Sequence, residues 1–210
     1  MERWLHPEFQ SRLLSHDWRE AHVLDVGTGQ GNPAILLGEL GATVVGIDRD
    51  LEKLALARSE AAGRGLSQLT FLEADAETSD YARHCPGITA VTAHLCMSEG
   101  IVRRASAALP SGGRLVFCAH HPDHHRETGR APSFGMDEDR LTELLEEVGF
   151  SPEHLQSHLE TRTYASFEGL VAAFDASPKQ VELWEPLRAR FASGERHLTR
   201  AYVVGDVVRR

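Results

Sequence analysis

"VLDVGTGQGNPAILLGELG", Val23 to Gly41, decides how this chain is read. With His22 ahead of it, the stretch opens as a short apolar run, "HVLDVG", of the kind that forms a buried strand. It closes with the residues that helix termini prefer: Asn32 as N-cap, Pro33 at the first helical position and Gly41 just past the end. Between strand and helix lie three glycines at alternate positions, Gly27, Gly29 and Gly31. Glycine turns that open helices usually cradle phosphates, because backbone N–H groups and the helix dipole converge on an anion. Here a carboxylate, Asp25, stands just ahead of the first glycine, and it would repel a phosphate.

Outward from that stretch the chain alternates. "ATVVGID", ending at Asp48, "LTFLEAD", "GITAVTAH", ending at His94, and "RLVFCAH" read as further strands separated by helical patterns. "MDEDRLTELLEEVGF" places Leu141, Leu144, Leu145 and Val148 at helical spacing, with Gly149 at its C-cap. A sixth strand is expected near His158–Tyr164, helical material over 167–191, and a last strand in "HLTRAYVVGDVV". The alternation predicts an α/β fold, a doubly wound, mostly parallel sheet covered on both faces. No repeat or composition shift marks a boundary. The expectation is a single domain over 1–210, with an N-terminal cap helix in 1–20 and a cofactor-binding core in 21–150. Residues 151–210 would complete the sheet.

Composition narrows the function classes. The 210 residues carry a formal net charge of −9, with 41% hydrophobic and 25% charged residues. That balance argues against broad binding to nucleic acid or to an anionic membrane. "MERWLHPEFQ" lacks the apolar core of a secretory signal, and no run approaches a membrane span. Cys85, Cys96 and Cys118 have no paired ligand spacing, which fits reduced thiols in a cytoplasm. The expected partner is a small molecule, and the expected assembly a monomer or homodimer.

Two ligand classes use a glycine turn of this kind. The dinucleotide frame G-x-G-x-x-G, counted from Gly27, fails at Asn32. The frame Asp25-x-Gly27-x-Gly29-x-Gly31 is complete, and it is the glycine signature of S-adenosylmethionine binding. That cofactor has no phosphate, and its methionine end bears an ammonium that Asp25 can attract directly or through water. Gly27 and Gly29 would let the backbone approach it closely. Asp48, at the end of the second strand, is placed to accept both ribose hydroxyls, with Arg49 beside it. Asp75 could accept the adenine amine, and Ala76 could offer its N–H to a ring nitrogen. Any one Asp at a strand end is often only the N-cap of the next helix. Three in succession, with a glycine turn in the first, are harder to explain that way.

The chain resembles class I S-adenosylmethionine-dependent methyltransferases of the small-molecule, quinone-biosynthesis type. "VLDVGTGQG", "VVGIDRD", "FLEADAE" and "LPSGGRLVF" match that family's successive motifs over roughly 23–150. The resemblance implies a Rossmann-like, seven-stranded sheet in the order 3-2-1-4-5-7-6 with the last strand antiparallel. It implies cofactor contacts at Asp25, Gly27, Gly29, Gly31, Asp48, Asp75 and Ala76. One departure is Thr89, where many relatives have an acid early in the fourth strand. That strand also lacks the Asn-Pro-Pro-aromatic ending of enzymes that methylate base amines.

In-line transfer from a sulfonium needs orientation more than a catalytic triad. A base helps only a protonated acceptor, and His94, His120 and His121 are the candidates. His94 is also counted with the cofactor-binding residues. "HHPDHH" (His120–His125) admits three readings: acceptor pocket, metal ligands, or polar surface loop. Trp4, His6 and Phe9 could cap the cofactor or lie on a helix packed against the sheet. Tyr164 and Phe167 could close the acceptor pocket or belong to the core. The rival functions are a cofactor-binding sensor without turnover and, disfavoured by Asn32, an NAD-dependent oxidoreductase.

Overall fold

Seven strands join in one sheet in the order β3-β2-β1-β4-β5-β7-β6. They are β1 (His22–Val26), β2 (Thr43–Asp48), β3 (Leu69–Glu73), β4 (Ala90–His94), β5 (Arg114–His120), β6 (Phe150–Thr163) and β7 (His197–Arg209). The pairs from β3 through β5 are parallel, whereas β7 runs antiparallel to both β5 and β6. This is the order that the resemblance implies. The protein is described from a computed structural model over residues 4–174 and 176–210. Among those residues, no helix is long and apolar enough to cross a membrane.

The central strands β1, β4 and β5 are buried on both faces, so neighbouring residues enter different cores. Leu24, Val91, Leu115 and Phe117 pack on one face with Leu141, Leu144 and Leu145 of α6 (Glu138–Glu147) and with Ile101 and Val102 of α5 (Glu99–Ala108). Val23, Val44 and Val116 pack on the other with Phe9 and Leu13 of α1 (Pro7–Leu14), Leu37 of α2 (Asn32–Glu39), and Leu54 and Ala57 of α3 (Leu51–Gly63). A smaller cluster joins Leu170 of α7 (Phe167–Ala173) and Trp184, just past α8 (Pro178–Leu183), to Leu187 and Phe191 of α9 (Glu185–Ala192). Phe167 belongs to this cluster and Tyr164 packs against it. Side-chain caps start several of the helices: Asp50 accepts from the N–H groups of Glu52 and Lys53, Asp80, ahead of α4 (Tyr81–His84), accepts from Arg83, and Ser98 accepts from Ile101.

Three boundaries differ from the sequence reading. Asn32 is the first residue of α2 and makes no cap; Gly31 holds that place in a left-handed conformation, and its carbonyl accepts the Ile35 N–H at 2.8 Å. β3 ends at Glu73, which leaves Asp75 in the loop beyond the strand. β6 begins at Phe150, well before the expected start, because "FSPEHLQSHL" is an edge strand with too little apolar alternation to show itself. Pro152 is tolerated there at a register shift between Pro152 and His154.

Strand order reverses between β1 and β4, and ligands of such sheets bind in the crevice outside the carboxyl ends at that point. A second feature frames the crevice. β5 stops at His120, opposite Tyr202, but β6 and β7 stay paired up to Thr163 and His197. Their hairpin therefore overhangs the carboxyl edge of the sheet.

Candidate active site

The glycine turn is built from inside. Gly27, Gly29 and Gly31 have φ of +62°, +53° and +81°, a region that side chains rarely adopt. Thr28 donates its N–H to the Ile47 carbonyl at 2.9 Å, and Gly31 donates to the Thr28 carbonyl at 2.8 Å. Gly29 donates to the Asp48 carboxylate at 2.8 Å. Three of the turn's N–H donors, those of Thr28, Gly29 and Gly31, are thus spent on the protein itself.

Asp25 lies fully buried beneath this turn. Its two carboxylate oxygens accept the hydroxyls of Thr28 at 2.5 Å and Thr92 at 2.8 Å. Burial pushes its pKa up to about 6, although hydrogen bonds from both hydroxyls and the Ala34 N–H oppose the shift. Asp25 is not among the residues that wall the crevice; its carboxylate braces the turn from beneath. Thr92, directly opposite Asp25 in the β1–β4 register, was missed by the sequence reading. Its signal was a lone hydroxyl in an otherwise apolar central strand.

Gly31 serves packing. A Cβ there would meet Ala57 at 3.0 Å and the Phe71 ring at 3.1 Å, so this glycine lets α2 pack against α3 and β3. It does not line the crevice. Gly27 does, and a Cβ on it would lie 2.6 Å from the Cys96 sulfur.

The crevice is a cavity of about 450 Å³ walled by Gly27, Gly29, Asp48, Arg49, Asp75, Ala76, His94 and Cys96, with Phe134 at its rim. Asp48 receives the Gly29 N–H on one oxygen and the Asp50 N–H, at 2.9 Å, on the other. A carboxylate has about four acceptor sites, so each oxygen keeps one for a hydroxyl. Asp75 receives the Glu77 N–H at 2.7 Å and lies 3.5 Å from the Arg49 guanidinium. Glu77 and Phe134 are wall residues that the sequence did not single out. Glu77 accepts from the Ser98 hydroxyl, and Phe134 is exposed on a connecting loop.

The histidines divide. His94 reaches the cavity wall, but its Nε2 accepts the backbone N–H of His6 at 3.1 Å. Burial, then the nearby His6 and His120, hold its pKa down near 3. With its Nε2 lone pair engaged by a backbone N–H, His94 stands in the wall as a hydrogen-bonded histidine. His120 stacks near His124, ring centroids 4.6 Å apart, and near Tyr202 at 5.9 Å, and burial lowers its pKa. His121 turns back on its own loop, its Nδ1 accepting the Asp123 N–H at 3.0 Å. Neither ring is among the residues walling the cavity. Among the described residues, no three His, Cys, Asp or Glu side chains are grouped to hold a metal.

The buried carboxylate gives a pH prediction. A folded pKa near 6, above the ordinary 3.8, means the folded protein keeps a proton that the unfolded chain has released between those values. Stability then falls as pH rises through that window, by an amount on the order of 3 kcal/mol for this group. Asp25→Asn should flatten the pH dependence of the urea midpoint across the window relative to wild type. Superimposable profiles would contradict the placement of this charge.

The family model described as "Methyltransferase domain" matches residues 18–160. The chain is 29% identical over 136 residues to a protein-L-isoaspartate O-methyltransferase of Koribacter versatilis, covering 62% of this chain and 60% of that one. It is 34% identical over 101 residues to a ubiquinone biosynthesis O-methyltransferase of Vibrio parahaemolyticus, covering 45% of this chain and 42% of that one. The chain thus spans less than two thirds of the length of these relatives. Among solved structures, magnesium protoporphyrin IX methyltransferase (ChlM) from Synechocystis PCC 6803 with bound SAH superposes with a TM-score of 0.64 at 16% identity, covering 97% of this chain and 80% of that one. By the extent of the family match, this chain belongs to the methyltransferase-domain family.

Proposed function

We propose that this protein binds S-adenosylmethionine in the crevice and transfers its methyl group to a small-molecule acceptor. The observation that carries this reading is the inward turn of three of the loop's donors, those of Thr28, Gly29 and Gly31, flanked by two carboxylates. A diphosphate would find the Gly29 N–H already taken by Asp48 and a second acid, Asp25, beneath the turn. A nucleoside without phosphate, bearing positive charge, meets no such conflict.

The residues fit the parts of that molecule. Asp48 takes the ribose hydroxyls with its two remaining acceptor sites. The loop from Asp75 to Ala76 borders the adenine, with Arg49 steadying Asp75, while Gly27 and Gly29 border the methionine end. When bound, the cofactor supplies a methyl group on a sulfonium, so the protein's contribution is to align the acceptor and keep water out. His94, Leu95 and Cys96 wall the side on which an acceptor would approach.

Cocrystallisation with S-adenosylhomocysteine tests the assignment. Density for its ribose against Asp48 and for its adenine beside Ala76 is expected. Ordered ligand elsewhere, with this crevice empty, would refute it.

A further inference from the structure

Residues 4–8, which lead into α1, lie across the end of β4 as a strap, and one imidazole fastens them. His94 Nε2 accepts the backbone N–H of His6 at 3.1 Å. Trp4 and Phe9 flank the same ring, at centroid distances of 5.3 and 5.0 Å. His94 stands in the crevice wall, so the strap backs that wall. Trp4, His6 and Tyr202 in turn border a second cavity, of about 420 Å³, under the overhang of the β6–β7 hairpin. The Trp4–His94 ring layer keeps the two spaces apart.

The fastening depends on a lone pair. A ring nitrogen that accepts an N–H carries no proton, so protonating His94 at Nε2 would set two donors against each other. The surroundings give an imidazolium no compensation. His6 faces His94 from the strap and His120 from β5, where the Cys118 thiol is at its register partner. Among the described residues no carboxylate, those of Asp48, Asp75 and Glu77 in the crevice wall included, lies within ion-pair distance of His94 or His6. His6 meets His158 of β6 at 5.0 Å and Tyr202 of β7 at 5.1 Å, centroid to centroid. The Arg200 guanidinium, itself opposite Glu160 in the β6–β7 register, opposes a proton on His6. Glu8 favours one, but its carboxylate is held by Arg12 at 3.1 Å and lies 3.6 Å from His154. His6 Nδ1 and His158 Nε2 are sealed from water without a hydrogen-bond partner, and they gain one only when this seam opens.

We propose that residues 4–8 are a proton-released strap: neutral His94 latches it behind the crevice, and protonation of the His6–His94 pair frees it and joins the crevice to the space under the hairpin. The rest of α1 stays in place. Phe9 and Leu13 are fully buried in the sheet's core, whereas of the strap's side chains only Leu5 joins it. On the methyl-transfer reading above, the latched wall keeps water from the crevice and acid opens it. Burial, ahead of His158 and Arg200, lowers the His6 pKa to about 4, and His94 is held near 3. Both lie below the ordinary 6.5, so the closed strap is fully favoured above that value and loses stability as pH falls beneath it. Opening takes up two protons there, and its equilibrium constant grows by up to ~100-fold per pH unit.

Fluorine NMR on the whole protein carrying 5-fluorotryptophan tests this, with Trp4 assigned through Trp4→Phe. Between about pH 8 and about pH 5 the Trp4 resonance should move reversibly to its solvent-exposed position, while those of the buried Trp18 and Trp184 hold still. The ratio of open to closed strap should rise with the ~100-fold slope given above. His94→Gln keeps an acceptor for the His6 N–H but takes up no proton, and should cut the slope to ~10-fold per pH unit. His6→Gln should do the same, and carries the test where the first variant does not fold. A Trp4 resonance that moves only together with Trp18 and Trp184, or an unaltered slope in the folded variant, would overturn the proposal. The readout needs no ligand, so its failure is separate from any failure of the cofactor assignment.

Discussion

Asp48→Ala should bind S-adenosylhomocysteine roughly 30- to 150-fold more weakly than the wild type, a loss of about 2–3 kcal/mol. Two hydrogen bonds from ribose hydroxyls to a charged acceptor disappear, and water recovers part of each. The substitution also removes the acceptor of the Gly29 N–H, held at 2.8 Å, and so loosens the turn that borders the methionine end. Asp48→Asn separates the two contributions. It keeps the shape and one acceptor oxygen, and should sit between wild type and alanine. Calorimetry on variants with wild-type circular dichroism checks the order. Wild-type affinity in Asp48→Ala would remove the ribose from this position.

Gly205→Val should destabilise the sheet severely. Gly205 sits in β7 directly opposite Phe117 of β5, and a Cβ on it would lie 2.2 Å from the Phe117 Cζ and 2.3 Å from its Cε1. Phe117 is fully buried between the sheet and its covering helices, so the ring has nowhere to go. Overpacking of this kind costs about 1–3 kcal/mol and occasionally more, and a branched side chain against a fixed ring belongs at the upper end. For a domain of this size that is a fall of roughly 6–12 °C in melting temperature. Phe117→Leu in the same chain should return part of the loss, with strong non-additivity in the double-mutant cycle. Additive effects would mean that the two positions do not share the space.

Asp48 and the Phe117–Gly205 pair differ in how far sequence alone reveals them. Asp48 was readable because the acid ends an apolar run, and such sheets put their ligand sites at strand ends. The Phe117–Gly205 pair was not, since it depends on the register of strands far apart in sequence. The same division runs through the site. The spacing of Gly27, Gly29 and Gly31 identified the turn, but not which way each residue faces. Gly31 proved to be a packing position against Ala57 and Phe71, and Asp25 a buried brace. His94 stands at the end of its strand in the crevice wall, yet its availability depends on a backbone N–H from His6, which no local pattern reveals. β6 was seen only in its second half because an exposed, polar edge strand carries little periodic signal.

The proposed chemistry requires the crevice to prefer a positively charged nucleoside without phosphate over a dinucleotide. Parallel calorimetric titrations of the unmodified protein with S-adenosylhomocysteine and with NADH decide between them. Micromolar-range binding of the first and none of the second is the expected result. Saturable binding of NADH, with S-adenosylhomocysteine inert, would contradict it.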